Sequence, residues 1–424
     1  MGKADNQLIE GPNEITIFNT DGMYALHNTT SIFPKAAWYD ILLPEIAMST
    51  ARDKAVHDQR RRIWDHGFSI KALHLYEGRV TSYAQILESQ ISKRTGSGIN
   101  ISEWFNWYAT DIMGDLAFGR SFDLLSTGKN QADVDLLKKG TPVVGLFLPT
   151  PWLFVLLAKM PGPNQEWKQL QGWCYAQLER RLKSKVDVPD IMSWLIEASE
   201  AANRLETDMH LLRGDSALII LAGSDTAGAA LSSLFYHIVS EPKYLRALRE
   251  ELKTLPSLTD AKALESLPLL NGIVHETLRL HPPTPSGVLR NTPPGGATIG
   301  STFVPGDVTV AVPFYSLGRS EANFVRADEF IPERWFSQPE LVKDKLGYVP
   351  FSIGQYSCVG KNLALMEMRS VTALLVAKYE ISFAPTQLAK QQSFELGLHD
   401  HFTSTAAGLD LVFTPLEKHV VVGA

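Results

Sequence analysis

A chain of 424 residues with 45% hydrophobic and 20% charged side chains has the composition of a globular protein that buries a large core. Its formal net charge of −6 gives no reason to expect nucleic acid as a partner. The only two cysteines, Cys174 and Cys358, lie far apart in sequence, which argues against a disulfide framework and fits a reducing compartment. No Gly/Ser tract, charge block or internal repeat divides residues 1–424, so the expectation is one domain.

In chain order, Met1 to Asn13 is polar, with neither a signal peptide nor a membrane-spanning run. A short strand is expected at Ile15 to Phe18, followed by a loop rich in aromatics that holds Phe33, Trp38 and Tyr39. The run from His57 to Trp64 reads as a helix on which His57 and Arg61 share one face, one turn apart. Such a face offers two donors to one anionic group, although a solvated basic helix would read the same way. Trp104 to Leu125 reads as a core helix. Val143 to Ala158 is the most apolar segment, but Pro149 and Pro151 break it, so a continuous transmembrane helix is not expected. Core packing and a membrane-dipping surface both remain open for it.

The stretch from about Asp208 to Val239 reads as one helix of ~45 Å, enough to cross the domain. Its middle, Ala222 to Gly228, sets Ser224, Asp225 and Thr226 in an apolar helix, where they compete for backbone groups. A groove or distortion at Gly223 would give them partners; a satisfied core threonine is the plainer alternative. Leu267 to Leu280 forms a helix ended by His281-Pro282-Pro283, with Glu276 and Arg279 on one face. Short strands are expected at Val288 to Arg290, Ala297 to Ile299 and Val308 to Val312, and a terminal hairpin from Ile381 to Phe383 and Leu409 to Phe413.

Between them lies Pro350 to Gly360, a loop that carries Cys358 directly before a helix from Lys361 to about Tyr379. Unpaired N–H groups at a helix N-terminus favour a thiolate, which is the form that binds a soft metal. Gly354 and Gly360 would let the backbone turn and approach a flat cofactor, and Phe351 could pack on its face. An inert buried cysteine is the alternative for this residue alone.

Phe351, Gly354, Cys358 and Gly360 match the spacing of the cysteine loop of the cytochrome P-450 superfamily, the haem-thiolate monooxygenases, which this sequence resembles over residues 11 to 415. The family usually has an arginine, paired with a haem propionate, where this chain has Tyr356. Ala222 to Thr226 resembles the family's oxygen-activation motif, and Glu276, Arg279 and Arg334 its Glu/Arg/Arg triad. The resemblance implies a mainly helical fold with a small β region. It also implies heme b (iron protoporphyrin IX) with Cys358 as the iron ligand, and propionates held by His57, Arg61 and Arg290. Arg60 and Arg62 would face elsewhere, toward a redox partner. Thr226 and Asp225 would manage protons, and Thr284 to Val288 and Phe402 would wall a pocket for an apolar or aromatic small molecule. Electrons would come from NADPH through a diflavin reductase.

Gly214-Asp215-Ser216 and the run from Lys361 to Arg369 resemble fungal microsomal members of secondary metabolism, which sit on the cytosolic face of the endoplasmic reticulum membrane. This sequence reads as starting after their anchor, Pro-rich hinge and first helix, with at most peripheral membrane contact. Two other readings stay open: a reductase-independent haem-thiolate isomerase or dehydratase, and a truncated, non-catalytic haem protein.

Overall fold

The computed structural model describes residues 7–11, 13–129, 145, 147, 150–159, 165–390, 394–405 and 408–416. Its axis is the helix Met209–Ser240, 32 residues and so about 48 Å long. It is long and apolar enough to cross a membrane, but two-thirds of its most apolar window is buried inside the protein, as befits a core helix. Helices Ile101–Phe118, Gln165–Lys183, Pro268–Leu280 and Lys361–Lys378 pack around it. The helix runs unbroken through Gly223, and neither a distortion nor an open groove there supplies the polar side chains with partners. A β-carbon at Gly223 would lie 2.7 Å from Met113, whose side chain fills the notch. Two of its hydroxyls turn back on their own helix: Thr226 donates to the Ala222 carbonyl at 2.7 Å and Ser232 to that of Gly228 at 2.8 Å, whereas the buried Ser224 Oγ has no partner among the described residues.

The helix predicted over Trp104 to Leu125 stops at Phe118, because Gly119 takes a left-handed conformation (φ 67°). Beyond it, the buried Asp111 carboxylate accepts the backbone N–H groups of Phe122, Leu124 and Leu125. Helix Lys361–Lys378 agrees closely with expectation.

The β structure is peripheral. A four-stranded sheet orders Gln7–Gly11, Glu14–Ile17, Thr309–Ala311 and Arg290–Asn291, with only the middle pair parallel. Tyr379–Phe383 and Asp410–Pro415 form the expected terminal hairpin, and Gly98–Asn100 adds a third strand. The apolar stretch near residue 150 becomes helical at Pro151. There Phe154 is buried while Trp152 and Leu156, one turn apart, are exposed. Val143, Val144, Leu146, Leu148 and Pro149 fall outside the described residues.

One correction concerns Arg60. It does not face outward: it is 2% exposed and donates to the fully buried Asp215 carboxylate of the central helix, which also accepts the Met48 N–H at 2.8 Å. The pair ties helix Lys54–Gly67 and the aromatic loop to the axis of the fold. Arg62 is exposed, as expected.

The Glu276 cluster fixes the other side. Both carboxylate oxygens are fully used: Oε1 accepts from Arg334, Arg279 and the Ile331 N–H, and Oε2 from Arg279 and Trp335. Glu276, Arg279 and Arg334 are each at most 1% exposed. Removing the carboxylate would strand two buried guanidiniums. Glu276→Ala is therefore expected to cost about 3–5 kcal/mol of stability. A denaturant or thermal melt checks this, and an unchanged midpoint would contradict it.

Candidate active site

Beside the central helix lies a cavity of about 390 Å³, walled by the cysteine loop, the His57 helix, the aromatic loop and residues Pro283 to Arg290. Its lining is mainly apolar. Ala222, in the middle of a buried helix, is nonetheless exposed, because it faces this space.

Cys358 is exposed too, though protein surrounds it, because its sulfur opens into the cavity. The loop positions it through the Cys358 N–H, which donates to the Phe351 carbonyl at 2.8 Å, and a turn from the Ser357 N–H to the Gly354 carbonyl. The helix-terminal N–H groups of Gly360 and Lys361 reach the sulfur as expected, but they do not prevail. Burial pushes the thiol pKa up, and those N–H groups and Arg61 only partly offset it. The free chain thus holds a thiol, and a metal would displace its proton on binding. At Gly360 an added β-carbon would sit 3.8 Å from the sulfur and 3.9 Å from Phe68, both cavity-lining residues. Gly354 serves otherwise than expected. Its φ is 67°, and a β-carbon there would lie 2.1 Å from the His27 carbonyl, so its close approach is to the chain near His27 and not to the cavity. Phe351 lines the cavity.

His57 and Arg61 do share one face and both line the cavity. Arg61 donates to the Ser357 carbonyl at 2.5 Å and to Asp65 at 2.7 Å, and so braces the residue before the cysteine. Burial lowers the His57 pKa to about 4, against the pull of Asp58. With Nδ1 3.0 Å from the Asp58 carboxylate, the neutral ring keeps its proton on that side. Donation from Nε2 would need a second proton, which an anion in the cavity would favour. Arg290 is 1% exposed, its Nε has no partner, and its guanidinium lies 4.7 Å from the Tyr356 ring centroid.

Thr226 lines the cavity, whereas Asp225 on the same turn does not. The Asp225 carboxylate is turned toward Asn106, and burial raises its pKa to about 6 despite that hydrogen bond. Two lining residues escaped the sequence reading. Glu367, on the cysteine helix, is 2% exposed with Oε2 unpaired, and burial raises its pKa to about 8. Lys35 is 3% exposed, although it sits in an aromatic loop. Its flanking sequence, Phe33-Pro34-Lys35-Ala36-Ala37-Trp38, gave only the weak signal of one charge among apolar residues.

Aromatic rings form a further wall. Trp38 and Phe402 lie 4.1 Å apart between centroids, with Tyr39 edge-on to Trp38 at 5.0 Å. Phe402 occupies the tip between strands His399–His401 and Thr403–Thr405 with φ 76°, a conformation of order 1–3 kcal/mol above the ordinary ones. Of the stretch expected from Thr284 to Val288, Thr284 and Val288 line the cavity while Pro285, Ser286 and Gly287 do not; Pro283, just before it, does.

An iron porphyrin needs a soft ligand open to a flat space, apolar walls and cations for its carboxylates. The open Cys358 sulfur, the apolar lining and the unpartnered Arg290 nitrogen fit these needs.

Comparison with known proteins agrees. The family model for cytochrome P-450 matches residues 14–401. A cytochrome P-450 monooxygenase of Fusarium pseudograminearum, FCK2, is 42% identical over 95% of this chain and 74% of its own length. Tryprostatin B 6-hydroxylase of Aspergillus fumigatus is 39% identical over 92% of this chain and 72% of its own. Among solved structures, the haem domain of a cytochrome P-450 superposes with a TM-score of 0.82 at 18% identity, covering 97% of this chain and 90% of that one. The chain belongs to the cytochrome P-450 superfamily, on its branch of fungal monooxygenases of secondary metabolism.

Proposed function

We propose that this monooxygenase hydroxylates or epoxidises an apolar, aromatic-bearing small molecule, and that Cys358 would hold the iron of heme b. The observation that carries the reading is the Cys358 sulfur and the cavity face of the Ala222–Thr226 turn opening into one apolar space. When bound, haem with a thiolate ligand supplies O–O bond cleavage in dioxygen. Everything else falls to the chain.

Arg290, Arg61 and a protonated His57 would hold the propionates, and Phe351 and Gly360 would bound the thiolate side. Thr226 already donates its own proton to the Ala222 carbonyl. Its oxygen lone pairs are left to accept from, and so orient, a water or a protonated oxygen in the cavity. Asp225, titrating near pH 6 behind that turn, would exchange protons with the interior by turning from Asn106. Trp38, Tyr39 and Phe402 would orient a flat apolar substrate. The relative named for 6-hydroxylation of tryprostatin B supports hydroxylation of this kind. Family membership implies NADPH-linked electron supply through a redox partner; a diflavin reductase is the partner proposed. The exposed Trp152 and Leu156 suit peripheral contact with the endoplasmic reticulum membrane.

The direct test supplies labelled dioxygen, NADPH and a fungal diflavin reductase, with candidate metabolites screened by their shift of the haem spectrum. Product carrying one labelled atom is expected. Turnover of a peroxide substrate without NADPH would instead support an isomerase or dehydratase. In the same assay Thr226→Ala should lower product formed per NADPH consumed by about tenfold or more, less than the ~10²–10⁴-fold of a group that itself transfers the proton, because Thr226 only orients it. Unchanged coupling would remove Thr226 from proton handling.

A further inference from the structure

Two buried cations stand side by side at the cavity edge. Lys35 and Arg290 are partners in an isolated antiparallel β-bridge, which sets their side chains next to each other on one face. They are 3% and 1% exposed. Neither makes an ion pair among the described residues. Like charges opposed in this way repel, and burial compounds the cost. Burial, then the nearby Arg290 charge, lower the Lys35 pKa to about 6.

The Lys35 ammonium donates to the Met48 and Ser49 carbonyls at 3.1 and 2.6 Å. An ammonium has three donors, so one remains. Both cations lie over the same ring, Lys35 at 5.0 Å and Arg290 at 4.7 Å from the Tyr356 centroid. Tyr356 stands where the family loop usually carries its propionate-binding arginine, and all three residues line the cavity. A fold that buries two basic groups side by side, with Asp58 acting on Lys35 but no carboxylate among the described residues paired to either, suits an anion from elsewhere, which would keep Lys35 protonated.

We infer that Lys35 replaces the missing loop arginine: across the face of Tyr356 and beside Arg290, its ammonium binds a haem propionate. This rests on the haem-thiolate reading above. It also gives Tyr356 a part, as the flat support on which both cations lie. An arginine at 356 and a lysine at 35 would then be alternative solutions to one electrostatic need, and each would make the other superfluous.

The test is the rate at which the loaded chain releases haem to excess apomyoglobin, read with no turnover. Lys35→Met should speed release about tenfold or more, while Lys35→Arg should stay near the parent rate. Because Lys35 also supports the Met48–Ser49 backbone, Lys35→Gln serves as a second variant that retains N–H donors without the charge, and it too should release haem faster. Adding Tyr356→Arg to Lys35→Met should restore slow release, although it cannot restore the carbonyl contacts. That rescue separates propionate binding from loop support. Release from Lys35→Met and Lys35→Gln within about twofold of the parent, or failure of Tyr356→Arg to rescue, would overturn the assignment while the haem-thiolate reading stood. A parent chain that takes up no haem would overturn both.

Discussion

The structure depends on holding one sulfur at the wall of an apolar interior space. A lone thiol there is of little use to the protein: burial keeps it protonated, and the helix-terminal N–H groups that reach it do not change that. The arrangement suits a soft cation bound at the sulfur, as proposed. Much of the fold serves to keep that wall in place. Glu276 clamps the Pro332 segment to a core helix, Arg61 braces the Ser357 carbonyl, and Gly354 lets the loop press against the chain near His27. The rigidity is distributed, but its object is a single atom.

The opposite wall is built by different means. The central helix is apolar enough to be buried along most of its length, and hydroxyls such as those of Thr226 and Ser232 bond back to its own carbonyls. Its grip on the rest of the molecule includes a filled notch and a buried ion pair: Met113 seated at Gly223, and Asp215 holding Arg60 and the Met48 backbone. The same Asp215 contact places the aromatic loop, so one buried carboxylate positions both the Lys54–Gly67 helix and the wall that carries Lys35, Trp38 and Tyr39.

What could be read from the sequence was what is local. The cysteine loop and its helix, the long axis and the Glu276–Arg279 pair each lie within one element, and period and punctuation were enough to find them. The His57 and Arg61 pairing was legible for the same reason. Arg60 was misread because its partner is 155 positions away. Lys35 was invisible because its significance arises from an isolated bridge to Arg290, far along the chain. Gly354 was credited with approach to a cofactor because sequence shows that a glycine is needed but not what comes near it. Asp225 and Thr226 looked like one unit, yet a helix turns about 100° per residue and sends neighbours to different surroundings.

The cavity charges tell the same story as the sulfur. Lys35, Arg290 and Arg61 gather at the edge of an apolar space, and His57 is kept neutral beside them. A soft ligand at the wall and basic groups at the rim suit the guest proposed above, with a metal centre and acidic arms. The most direct test is the absorption spectrum of the purified, haem-loaded chain after reduction and exposure to carbon monoxide, taken beside that of Cys358→Ala. The account predicts a strongly red-shifted Soret band in the parent and its loss in the variant. A red-shifted band that survives without the Cys358 sulfur would contradict it.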